Sequence, residues 1–179
     1  MNGKTIFIAG VYGTGKSTLC ASLSTQLKIP FFSASDLISE INGEKYGAKK
    51  AVKNATENQR ILAERVKTLN YKYPIILLAG HFCIFKSDLT IDILPDSVFK
   101  NLNLAKIILL ESETEIVVSH LSIRDKKRYP EDAIAQLAQS EYQQSIKISE
   151  LLSCPFSIYH MTFSSSDVSN VEKLIDMEV

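Results

Sequence analysis

Three glycines, a lysine and a Ser-Thr pair fall within nine residues near the start of the chain, Gly10-Val11-Tyr12-Gly13-Thr14-Gly15-Lys16-Ser17-Thr18. Their spacing satisfies G-x-x-x-x-G-K-[ST], a pattern with a mechanism. Gly10, Gly13 and Gly15 let the backbone turn tightly and aim several N–H groups at one anion. Lys16 adds a point charge for the β and γ phosphates, Ser17 offers a hydroxyl to Mg²⁺, and Thr14 and Thr18 complete the contacts to the nucleotide. The expected ligands are ATP and Mg²⁺.

Such a loop needs a strand to deliver it and a helix to finish it. Residues 5–9, TIFIA, are a compact apolar run, while Leu19, Leu23 and Leu27 recur at helical spacing. The N-terminus of that helix would itself favour phosphate. Further apolar runs at 29–33, 74–79, 106–110 and 155–159 alternate with helical patterns. This predicts an α/β fold, a parallel sheet with helices on both faces and ligands at the carboxyl ends of the strands. The Ser164-Ser165-Ser166-Asp167 cluster reads as a cap before a last helix ending near Met177.

Candidates for the remaining chemistry should follow strands. Asp36 comes after the second apolar run and reads equally as an acceptor-side carboxylate or, with Ser35, as the N-cap of a helix over 37–41. His81 follows the third run as a hydrogen-bond donor to phosphate or acceptor. Arg124 and Arg128, four residues apart, would share a helix face and suit bidentate phosphate contact; the competing reading is a solvated charge run with Asp125, Lys126 and Lys127. Arg60, and Arg65 beside it, lie on a helix over 57–69 and could reach the acceptor from the other side. Two polar stretches, 36–53 with Gly43, Gly47 and the Lys49-Lys50 pair, and 123–132 with one proline among its charges, read as covers that close over the site.

A length of 179 residues with 45% hydrophobic content predicts one domain over 1–179, in which 36–70 covers the acceptor side and 123–132 is a short lid. Lysine plus arginine equals aspartate plus glutamate at 20 each, so no overall field favours nucleic acid or an anionic membrane. The expected partner is a small-molecule acceptor. Cys20, Cys83 and Cys154 form no local metal or redox pair and read as buried hydrophobes. No leader pattern and no apolar run near the ~18 residues of a membrane span occur, which predicts a cytoplasmic protein.

Taken in order, GVYGTGKST, the third run ending in Ala79-Gly80-His81, the segment 89–99 with Leu94-Pro95, KIILLES and the lid helix over 115–128 resemble the P-loop nucleoside monophosphate kinases, most closely the archaeal-type adenylate kinases. The likeness runs nearly end to end. It implies a five-stranded parallel sheet, Mg²⁺, lid closure and transfer of the ATP γ-phosphate to a nucleoside monophosphate. Two departures stand out. Relatives carry an aspartate at the end of the third strand where this chain has Ala79, leaving Ser17, phosphate oxygens and Asp36 or Glu111 for the metal. His120 occupies the lid position where relatives often place an arginine on adenine. The departures keep two alternatives open: a kinase of a small non-nucleotide alcohol with Asp36 as base, or an ATP-binding regulatory protein with weak ATPase activity. No N-K-x-D or D-x-x-G element supports a GTPase.

Overall fold

The computed structural model describes residues 3–42 and 55–176. In chain order the elements are β1 (Lys4–Ala9), α1 (Lys16–Leu27), β2 (Phe31–Ser33), α2 (Ala34–Asn42), α3 (Ala55–Lys72), β3 (Ile75–Ala79), β4 (Cys83–Phe85), β5 (Ile91–Ile93), α4 (Asp96–Lys100), β6 (Leu104–Glu111), α5 (Thr114–Asp125), α6 (Glu131–Leu152), β7 (Phe156–His160) and α7 (Ser166–Asp176). Five strands form a parallel sheet in the order β2-β3-β1-β6-β7. β1 is central, with Ile8 beside Ala79 on one side and Ile108 on the other.

The apolar runs dictate this order. Thr5 to Ala9 are all buried, and their alternation divides the core between the two faces. Ile6, Ile8, Leu77, Ala79, Ile108 and Leu110 meet Leu19 and Leu23 of α1 and Val171 and Ile175 of α7. Phe7, Ala9, Ile76, Leu78, Ile107 and Leu109 meet Leu62 and Val66 of α3 and Leu137 and Ile148 of α6. Each large side chain so buried stabilises by roughly 1.5–3 kcal/mol, which only a strand covered on both faces can collect along its whole length. The half-exposed β2 and β7 therefore sit at the edges. All three cysteines are free and buried, as expected.

The structure departs from the sequence reading at several boundaries. β2 is confined to 31–33 because Pro30 before it has no N–H to donate. α2 begins at Ala34, so Ser35 and Asp36 lie in its first turn rather than at its N-cap. The helix expected over 115–128 stops at Asp125, where Lys126 turns left-handed at φ 51°. Arg124 and Arg128 are consequently not on one helix face. The two-stranded antiparallel hairpin β4–β5 was not expected at all. Residues 43–53 of the expected first cover, and Met177, near which the last helix was expected to end, lie outside the described residues.

Candidate active site

The loop between β1 and α1 takes the conformation its glycines permit. Gly10, Gly13 and Gly15 have φ of 145°, 82° and 82°, values an L side chain rarely adopts. A Cβ on Gly13 would come within 3.1 Å of the Val117 carbonyl oxygen, so α5 leans directly on the loop. Thr14 is buried and its hydroxyl donates to the Val11 carbonyl (2.9 Å). α1 starts at Lys16 with no side chain bonded across its N-terminus and no acid in its first turn. Its leading amides are thus free to meet an anion. Ser17 and Thr18 are exposed in that first turn.

Lys16 is buried, and its Nζ donates to the carbonyls of Gly10 (2.7 Å) and Val11 (2.8 Å). Burial lowers its pKa, Glu141 nearby opposes that, and Arg124 adds to it. Arg124 therefore lies close enough for its charge to be felt at Lys16, although its guanidinium is half-exposed and bonded to Asp125 (2.6 and 2.8 Å). Asp125 is in turn held by the Tyr129 hydroxyl (2.7 Å). Arg128 is exposed in the turn after α5.

His81 sits at the end of β3 with its ring 4.4 Å from that of Tyr12. Burial first, then the charge of Lys16, hold it well below the usual histidine range, so it is neutral; its Nδ1 has no hydrogen-bond partner. Tyr12 is pushed up to about 12 by burial and remains a phenol. His120 on α5 also reaches the loop: its Nδ1 is 3.0 Å from the Gly13 carbonyl oxygen. A carbonyl only accepts, so that nitrogen carries the proton. The ring meets Phe163 edge to face at 4.7 Å.

The acceptor-side candidates are more dispersed. Asp36 is exposed in the first turn of α2, at the carboxyl end of β2. Arg60 is exposed and bonded along its own helix to Glu57 and Glu64, so α3 holds its guanidinium on the surface. Arg65 reaches Glu40 on α2 (3.3 Å). Glu111, at the end of β6, faces His160 (3.5 Å).

Among the described residues no three acidic, histidine or cysteine side chains cluster to hold a metal. The loop nevertheless fits a magnesium nucleotide, because the uncapped amides and Lys16 match phosphates, and Mg²⁺ needs only the Ser17 hydroxyl besides phosphate oxygens and water. When bound, the metal would spread charge over the transferring phosphate.

Two site residues escaped the sequence reading. Glu141 on α6 is 1% exposed and accepts hydrogen bonds from the amides of Gly10, Phe82 and Cys83. Its signal was a lone acid within the buried stripe Ile134, Leu137, Gln144, Ser145, Ile148. Phe163 lies in the turn after β7 at φ 57°, and a Cβ on Gly15 would come within 3.3 Å of its ring; nothing in the sequence placed it there.

The comparisons agree with this fold. A family model described as an AAA domain matches residues 9–138. No curated protein matches the chain in sequence. Among solved structures the chain is similar to shikimate kinase from Bacteroides thetaiotaomicron, at 15% identity and a TM-score of 0.62 over 97% of this chain and 99% of that one. It is also similar to a gluconokinase from Sinorhizobium meliloti 1021 (11%, 0.56, 98% of each) and to shikimate kinase from Aquifex aeolicus (18%, 0.61, 97% and 96%). At such identities the likeness speaks to the fold. With its phosphate loop on the central strand of a five-stranded parallel sheet, the chain belongs to the AAA-domain family and has the fold of P-loop kinases.

Proposed function

We propose that this protein is an ATP-dependent phosphotransferase that moves the γ-phosphoryl group to the hydroxyl of a small-molecule acceptor. The observation that carries the reading is the pairing of a phosphate loop with an acceptor side on which Arg60 and Arg65 are both engaged with glutamates while Asp36 is exposed at a strand end. A phosphate acceptor would double the anionic charge in the cleft and call for uncommitted arginines; a hydroxyl acceptor calls for a carboxylate. The solved structures of similar fold are named for shikimate and gluconate.

In this reading Lys16, the loop amides and the α1 N-terminus hold the triphosphate, and Ser17 holds Mg²⁺. Asp36 accepts the proton as the acceptor oxygen bonds to the γ-phosphorus and the bond to the bridging oxygen of ADP breaks. Arg124 stabilises the charge of the transferring group, and His120 with Phe163 faces the nucleotide base. Positioning and charge stabilisation supply most of the acceleration.

A nucleoside monophosphate acceptor is the second reading, favoured by the sequence resemblance and by Arg124, whose charge reaches Lys16 and His81. Coupled measurement of ADP release with Mg²⁺, across nucleoside monophosphates and small hydroxylated acids and sugars, separates the two. Turnover with a hydroxyl compound supports the first reading; turnover confined to a monophosphate supports the second. Absence of turnover with every acceptor, alongside firm ATP binding, would replace both with a regulatory ATP-binding role.

A further inference from the structure

Glu141 reaches two parts of the site that are distant in sequence. Its Oε1 accepts from the Gly10 amide (3.1 Å), at the entrance of the phosphate loop. The Phe82 amide is shared between its two oxygens (3.0 and 2.9 Å), and the Cys83 amide donates to Oε2 (2.7 Å). Phe82 and Cys83 lead from β3 into the β4–β5 hairpin. Three residues further along the same helix, Gln144 donates to Asp96 (3.1 Å), beyond the other end of that hairpin, and Lys147 joins it there (2.8 Å). Gly10 also receives Lys16 on its carbonyl, so a buried anion and a buried cation hold one residue from two sides.

We infer that Glu141 is a positioning residue of this site: through its two carboxylate oxygens α6 holds the entrance of the phosphate loop and the start of the β4–β5 hairpin in one fixed relation. This deepens the proposed function and rests on the loop being the ATP site. An ionised carboxylate accepts on both oxygens, whereas a protonated one turns one oxygen into a donor facing amide donors. Burial raises the Glu141 pKa above the usual carboxylate range, opposed by the Phe82 amide, Lys16 and the Cys83 and Gly10 amides. The charge of the carboxylate is felt at Lys16, Tyr12 and Cys83, and the charges of Lys16 and Arg124 are felt at His81. The arrangement tightens as pH rises through neutrality.

Glu141→Gln keeps the side-chain shape and replaces one acceptor by a donor. Its Mg-ATP affinity by calorimetry should be about tenfold lower near pH 8, and the gap to wild type should close as pH falls, because protonation brings wild type to the same state. Amide exchange followed by NMR should accelerate at Gly10 and at Phe82 and Cys83 together. Glu141→Asp, which keeps the charge, should keep the pH dependence. Affinity profiles that run parallel across pH, or exchange that changes in one segment alone, would overturn the inference. The exchange measurement requires no nucleotide, so failure of wild type to bind Mg-ATP would overturn the reading of the loop while the linkage of the two segments is judged on its own.

Discussion

Gly10→Ala puts the geometry of the phosphate loop to its most direct quantitative test. A Cβ at this position would lie 2.6 Å from the Leu110 carbonyl oxygen and 3.0 Å from Thr14 Oγ1, at a φ of 145°. The first obstacle is backbone of β6, which is paired to β1 on one side and β7 on the other, so it cannot step aside alone. Strained backbone costs roughly 1–3 kcal/mol and an overpacked contact roughly the same again, for a sum near 4 kcal/mol. In a chain of this size each kcal/mol moves the melting midpoint by roughly 2–4 °C, so the variant should melt about 8–16 °C lower. Calorimetric melting beside wild type measures this. A loss under about 1 kcal/mol would mean that the loop relaxes around the methyl group, and the argument from its glycines would fail.

Three further outcomes follow from the site. Lys16→Ala should cut phosphotransfer by about 10²–10³ through loss of charge stabilisation while the protein stays folded; ADP release at the wild-type rate would remove Lys16 from the mechanism. Arg124→Ala should lower kcat about tenfold, and Arg128→Ala by no more than about twofold, because only the former has a charge felt at Lys16; the reverse ranking in steady-state assays would return the catalytic role to Arg128. Asp167, at the start of α7, accepts from the Tyr159 hydroxyl and from the Thr162 hydroxyl and amide. Burial opposes its ionisation, but these hydrogen bonds prevail and lower its pKa, so its contribution to stability is present above the usual carboxylate pKa of about 4 and is lost as pH falls below it. Asp167→Asn should therefore flatten the acid limb of the melting curve, and an unchanged limb would refute this.

Most of the architecture was legible because β1, β3 and β6 are buried on both faces and so read as uninterrupted apolar runs. The loop was legible because its chemistry fixes residue types at fixed spacing. Arg60 and Arg128 show where such reading stops: type and spacing name a cation but not its partner, and Glu57, Glu64 and the left-handed Lys126 decided their placement. The β4–β5 hairpin was missed because three-residue strands carry too little periodicity to register. Glu141 was missed for a different reason. Its partners are backbone amides, which leave no mark in a sequence, and it stands 131 residues from Gly10.

That separation bears on how the protein folds. β1 cannot be flanked until β3 and β6 have been reached, and the Gly10 amide meets its carboxylate only once α6 has docked, so closing this contact comes with a large loop-closure entropy. The entrance of the phosphate loop therefore takes its final shape only with α6 in place, and recovery of Mg-ATP binding by a refolding chain should not precede docking of that helix.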